Sequence, residues 1–274
     1  MRSALLGRIA ERLVTPEVES ALARSAKPTG SFGYDPWGYN EQAVKLAYPL
    51  VQALYERYFR VRTTGLEHVP AHGRVLIIAN HSGQLPMDGV LLGYALQSNP
   101  VAPRAPRAMI ERFFPSVPWL GNMLTHLGGV IGDPANCARM LEREEAIIVF
   151  PEGIRGSGKP YRKRYQLQRF GNGFIRLALA HDTPVLPVGI VGCEETMPSV
   201  ANIKPLARLL SVPYVPLAPP VPLPARVFIN IGEPMRFTGD DDDEAAVDAK
   251  VDRVKATIDA LVARGLEQRG DRLF

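Results

Sequence analysis

The sequence predicts an α/β fold, a mostly parallel central sheet flanked by helices, and three observations carry that expectation. Four short apolar runs, Arg74–Ala79, Ala146–Phe150, Pro184–Val191 and Arg226–Ile231, have the length and unbroken hydrophobicity of strands buried on both faces. Helical patterns lie between them, at roughly Asp88–Gln97, Ala135–Arg143 and Asn172–Ala180, and strands alternating with helices build parallel sheets. The 274 residues are 46% hydrophobic and 22% charged, which supplies a large core and excludes general disorder.

Residues 1–60 read as a helical and aromatic-loop extension. In the first 13 residues Leu5, Leu6, Ile9 and Leu13 share one helical face while Arg8, Glu11 and Arg12 take another. The charges break any secretory h-region. Such a helix either lies in a membrane interface or packs on its own domain. Residues 26–40 (AKPTGSFGYDPWGYN) read as a packed loop, with Phe32, Tyr34, Trp37 and Tyr39 expected to be buried. Leu46, Leu50, Leu54 and Tyr58, at four-residue steps beside Val51 and Tyr55, predict a helix; Val61–Gly73 reads as irregular.

Residues 61–239 form the expected α/β domain. Its most apolar long stretch, Leu206–Ile231, cannot be a membrane span, because seven of the 25 prolines fall between Pro205 and Pro224. Tyr214, Leu217, Val221 and Leu223 leave that segment either packed over the core or available to lipid. Residues 240–274 read as an amphipathic helix. Asp240–Glu244 is a solvated N-terminal cap rather than a metal site, and Val247, Val251, Val254, Ile258 and Leu261 mark the packed face.

Charge is nearly balanced, 32 Lys+Arg against 28 Asp+Glu, which argues against nucleic acid as a partner. The basic residues concentrate instead. Arg155–Arg169 holds six of them, no acid, and the interleaved Tyr161 and Tyr165. This run is either a solvated face or a surface for an anionic partner such as a phosphate, coenzyme A or acidic lipid. The two cysteines, Cys137 and Cys193, make no disulfide scaffold, so a reducing, cytoplasmic setting is expected.

Sites in parallel sheets form beyond the carboxyl ends of strands. After the first run comes Asn80-His81-Ser82-Gly83-Gln84-Leu85-Pro86-Met87-Asp88-Gly89. A histidine there can accept a hydroxyl proton near neutral pH, and Asp88 can fix its tautomer. Seven residues of continuous helix would separate the two by about 10.5 Å. The chain must therefore fold back, through a turn at Ser82–Gly83 and a helix start at Pro86. Alternatively His81 is a loop residue and Asp88 only a helix cap.

After the second run comes Phe150-Pro-Glu-Gly-Ile-Arg155-Gly-Ser-Gly-Lys159. Its glycines allow close backbone approach, and Arg155 and Lys159 can hold phosphate oxygens. Gly153 and Gly158-Lys159 have GxxxxGK spacing, but Pro160 stands where a P-loop needs Ser or Thr, which leaves nucleotide hydrolysis a distant alternative. No GxSxG elbow and no paired CxxC is present. His68 and His72 flank Pro70 and read as loop residues, and His126 and His181 have no evident partner.

In combination these segments resemble the PlsC-like glycerolipid acyltransferase superfamily. Four blocks follow in its order: Asn80-His81 through Asp88, similar to NHxxxxD; Gly128–Pro134, similar to GxIFIDR; Phe150–Arg155, similar to FPEGTR; and Pro184–Gly189, similar to VPVxI. The resemblance spans Arg74–Gly192 and, more weakly, continues to Pro234. It implies transfer of a fatty acyl group from a coenzyme A or acyl-carrier-protein thioester to a lipid hydroxyl, as in lysophosphatidate acylation, at a peripheral membrane surface.

By the same resemblance His81 is the base and Asp88 its orienting partner. Asn80, Glu152, Gly153, Arg155 and Lys159 are expected to bind substrate, and no metal or cofactor is needed. Two departures stand out. Six residues separate His81 from Asp88 where the common block has four, and the arginine that closes the second block falls on Pro134. The missing arginine removes one phosphate clamp, which leaves room beside lysophosphatidate for another lysophospholipid, a neutral glyceride or another lipid alcohol, unless a nearby residue such as Arg139 substitutes. The longer gap leaves a non-catalytic lipid-binding protein as the alternative class.

Overall fold

The computed structural model describes residues 14–82, 85–114, 119–209, 215–240 and 242–271. The expected helix over the first 13 residues, Gly83 and Tyr214 lie outside this set. The strands of the central sheet are β1 (Arg62–Thr64), β2 (Val75–Ala79), β3 (Arg107–Ile110), β4 (Gly129–Ile131), β5 (Ala146–Val149), β6 (Val185–Val191) and β7 (Phe228–Ile231). The main helices are α1 (Pro16–Arg24), α2 (Glu41–Ala53), α3 (Met87–Gln97), α4 (Leu120–His126), α5 (Pro134–Glu142), α6 (Gly173–Ala180) and α7 (Glu244–Arg269).

The spatial order is β1-β7-β6-β2-β5-β3-β4. Pairing is parallel throughout except between β6 and β7. The mostly parallel sheet flanked by helices is therefore the architecture that the apolar runs predict. Pleating divides the core. Leu76 and Ile78 of β2 pack with α5, α6 and α7 on one face, while Val75, Ile77 and Ala79 pack with Leu91, Leu92 and Leu96 of α3 on the other. Both faces of the central strands are thus covered, which is why they read as continuous apolar runs rather than alternating ones.

Helix α7 begins at Asp243, whose carboxylate accepts the Ala246 N–H at 3.1 Å, so the acidic run does end in a cap. Its buried stripe is Val247, Val251, Val254, Ile258 and Val262, with Leu261 half-buried beside it. The helix lies so close to β6 that a Cβ on Gly189 would come within 2.7 Å of Leu261.

Three expectations about the extension change. Leu46 and Leu50 are 48% and 65% exposed, and the packed face is Val44, Tyr48 and Val51 of α2, continued by Tyr55 in the turn that follows. A period of 4.0 drifts off a 3.6-residue helix, whereas steps of four, three and four stay on one face. In the aromatic loop Tyr39 is buried and Trp37 partly so, but Phe32 is 90% exposed and Tyr34 45% exposed. The loop is anchored instead by charge. Asp35 and Glu145 both pair with the buried Arg107, whose guanidinium also lies 5.1 Å from the Tyr39 ring and 5.6 Å from that of Trp37. Finally, Val61–Gly73 is not wholly irregular, because Arg62–Thr64 adds the parallel edge strand β1 beside β7.

Candidate active site

Strands β2, β5, β3 and β4 are neighbours, and the residues just past their carboxyl ends meet at one cavity of about 510 Å³. They are His81 after β2, Gly153 after β5, Glu111 and Arg112 after β3, and Asp133 after β4. The remaining lining is largely apolar, from Tyr48 and Val51 of α2 along Gly89 and Gly93 of α3 to Phe174 and Leu177 of α6. Gly89 and Gly93 are four apart on one helical face, and their missing side chains open the groove. The volume falls in the range of small-molecule sites.

The chain does fold back between His81 and Asp88. Asp88 sits in the first turn of α3, is fully buried, and accepts from His81 Nδ1 at 2.6 Å and from the Ser82 N–H at 2.9 Å through the same oxygen. Its other oxygen accepts the Gly89 N–H at 2.8 Å. Imidazole and carboxylate therefore meet despite the six-residue gap. Phe150 stacks on the His81 ring, with centroids 4.5 Å apart and planes at 27°. With Nδ1 committed to Asp88, Nε2 is the nitrogen left for the cavity. Burial alone would lower the His81 pKa. The Asp88 carboxylate, with Glu152 and Glu111 behind it, outweighs burial and raises it above 6.5.

Four of the five residues expected to bind substrate do not line the cavity, and three of them are engaged inside the protein. Asn80 is buried, donating to the Ile190 carbonyl at 2.9 Å and accepting the Ile190 N–H at 2.7 Å, so it clamps β2 to β6. Glu152 is 1% exposed; its two oxygens accept the His81 N–H at 2.9 Å and the Gln168 N–H at 2.7 Å. Lys159 is turned inward, 2.8 Å from Glu194 and 3.9 Å from Glu152. Burial pushes the Glu194 carboxyl up to about 7 even with the Lys159 ammonium opposing it. Breaking such a buried pair typically costs about 3–5 kcal/mol, so Lys159 is a structural ion and not an open phosphate ligand. The same inward turn removes the P-loop reading, which needs this lysine on phosphates.

Arg155 is exposed, does not line the cavity, and reaches the Arg169 carbonyl at 3.5 Å. Only Gly153 of the five lines the cavity. Its φ of +53° suits glycine, and a Cβ there would come within 3.0 Å of a Glu111 carboxylate oxygen. The Gly153 N–H is taken by the Phe150 carbonyl at 3.0 Å, so it is no free oxyanion donor.

Sequence reasoning missed Glu111 and Arg112. Arg112 pairs with Asp133 at 3.1 Å, and Asp133 also caps α5 by accepting the Ala135 N–H at 2.9 Å. The signal that finds them is their place directly after β3, once that strand is recognised. Arg139 of α5 does not line the cavity. Among the described residues no group of three or more His, Cys, Asp and Glu is arranged to hold a metal ion. His68 Nδ1 contacts the Ile231 carbonyl at 3.0 Å, and His126 packs against Tyr34.

The profile of the family described as Acyltransferase matches residues 60–191, which include His81, Asp88 and Glu152. An uncharacterized protein of Mycobacterium leprae is 35% identical over 257 residues, covering 89% of this chain and 69% of its own length. An uncharacterized protein of Mycobacterium tuberculosis strain H37Rv is also 35% identical over 257 residues, covering 89% of this chain and 71% of its own. Among solved structures, the 1-acyl-sn-glycerophosphate acyltransferase PlsC of Thermotoga maritima shares the fold, with a TM-score of 0.51 and 20% identity over 95% of this chain and 97% of that one. Residues 60–191 thus match the acyltransferase family, on a fold that this chain shares with PlsC.

Proposed function

We propose that the protein moves a fatty acyl group from a coenzyme A or acyl-carrier-protein thioester to the hydroxyl of a lipid acceptor, with His81 as general base. The observation that carries this reading is the 2.6 Å contact of His81 Nδ1 with buried Asp88 at the head of a mostly apolar cavity. Asp88 accepts a hydrogen bond from Nδ1–H, which keeps the proton on Nδ1 and places the basic lone pair on Nε2. Nε2 takes the acceptor hydroxyl proton as the oxygen attacks the thioester carbonyl. A C–O bond forms, the C–S bond breaks, and the imidazolium returns its proton to the departing thiolate. Asp88 stabilises the imidazolium in between. The apolar walls suit an acyl chain, and the step needs no metal.

Access to such substrates argues for peripheral attachment to a membrane. No helix among the described residues is long and apolar enough to cross one. The exposed cations Arg155, Arg162, Lys163, Arg164 and Arg169 suit an anionic surface, at about 1 kcal/mol for each residue close to it. Exposed Leu217 and Val221 of the proline-rich segment can add apolar contact.

Thiol release from an acyl thioester, measured with lipid alcohols as acceptors, tests the reading. His81→Ala should lower turnover by about 10²–10⁴-fold while the circular dichroism spectrum stays that of the parent. Near-normal turnover in the variant would remove His81 as the base. Lipid binding by the parent without thiol release would favour the non-catalytic alternative.

A further inference from the structure

We infer that the acceptor pocket selects an uncharged lipid alcohol, such as a glyceride, over a phosphomonoester, with Glu111 as the specificity-determining residue. This rests on the acyl-transfer reading above and concerns the same cavity.

The argument is a census of charge. Among the described residues that line the cavity, the aspartate, glutamate, lysine and arginine side chains are Glu111, Arg112 and Asp133. Arg112 is the only lysine or arginine of that lining. Its guanidinium is held by Asp133 at 3.1 Å, and its side chain is 74% exposed, so it sits at the rim already neutralised. Glu111 has no such partner. It is half-buried, one carboxylate oxygen stands 3.0 Å from where a Cβ on Gly153 would sit, and no ion pair to it is found among the described residues. It is also close enough to favour the charged form of His81.

The cations that the sequence offers for a phosphate are absent from this lining. Pro134 occupies the position expected to hold an arginine, Lys159 is committed to Glu194, and Arg155 lies outside. A phosphomonoester brought to His81 would therefore meet a carboxylate that no described cation pairs, in a largely apolar pocket. Like charges in such surroundings discriminate by repulsion as effectively as good contacts do by attraction. A hydroxyl has the opposite relation to Glu111. It carries no charge and can donate a hydrogen bond to the carboxylate. A glyceride with one hydroxyl at Nε2 and another at Glu111 uses both groups.

The test is an acceptor panel with the full chain and an acyl-CoA or acyl-carrier-protein donor. The acceptors are monooleoylglycerol, oleyl alcohol and lysophosphatidate, in the same detergent micelles. Monooleoylglycerol should exceed lysophosphatidate in kcat/KM by about tenfold or more. Glu111→Gln should narrow that ratio by raising lysophosphatidate turnover. It should also move the acid limb of the pH–rate profile to lower pH, a shift that a merely structural role would not produce. Preference of the parent for lysophosphatidate, or an unchanged acceptor ratio in Glu111→Gln, would overturn the inference and leave acyl transfer standing. Absence of transfer to every acceptor, with the parent indistinguishable from His81→Ala, would remove both.

Discussion

The loops after β2 and β5 leave adjacent strands of the same sheet, paired in register from Val75 with Ala146 to Ile78 with Val149. Both carry ionisable groups at the carboxyl edge. In the first loop, His81 lines the cavity and Asp88 stands behind it. In the second, Glu152 and Lys159 are turned into the protein, Arg155 lies outside the cavity, and only a glycine of the group faces it. The difference lies in what each side chain is needed for. The backbone N–H groups of His81 and Gln168 both lie outside the strands, and the two oxygens of Glu152 are the acceptors that satisfy them. The second loop therefore acts on the first. It fixes the main chain from which the imidazole projects.

The sharpest way to break this comparison is Glu152→Ala. Two N–H groups would lose their acceptor, at about 1–3 kcal/mol each. A displaced imidazole would lower kcat by about 10²-fold with a smaller change in KM. Thermal denaturation and steady-state kinetics check both parts. An unaltered kcat would show that the second loop does not position the first.

The smallest effect is expected at Arg155, the residue that its chemistry most recommends as a substrate ligand. Arg155→Ala removes an exposed side chain, so stability should change by no more than about 0.5 kcal/mol. With the guanidinium outside the cavity, kcat/KM should stay within about threefold of the parent. A loss of about tenfold or more in kcat/KM would place that guanidinium on the substrate and make the second loop a binding element after all.

The contrast also shows how far the sequence is legible. β2, β5, β6 and β7 are readable because strands covered on both faces must be apolar throughout. β1 and β3 are not, for local reasons. β1 is three polar residues at the sheet edge, and β3 opens on Arg107, whose burial depends on Asp35 from a distant loop. Because β3 was not readable as a strand, the sites at its carboxyl end, Glu111 and Arg112, were invisible too. The His81–Asp88 pairing was readable because turn residues lie between a strand end and a helix start. The orientation of Asn80, Glu152 and Lys159 was not, since a side chain type states what a group can bind and not which way the fold turns it. Packing of α2 was misread for a related reason, a four-residue count applied to a 3.6-residue helix.

The central claim is that an imidazole with Asp88 behind it takes the acceptor proton, and the pH dependence of kcat/KM tests it most directly. Burial works against the charged imidazole, but the surrounding carboxylates win and lift the His81 pKa above its ordinary 6.5. The catalytic form is the neutral ring, so activity is lost as pH falls through that raised value and is regained above it. Profiles taken from about pH 5 to about pH 9 should show a single-proton acid limb whose midpoint lies above 6.5. A rate that is flat across this range, or that falls only in the carboxylate region near pH 4, would contradict the account.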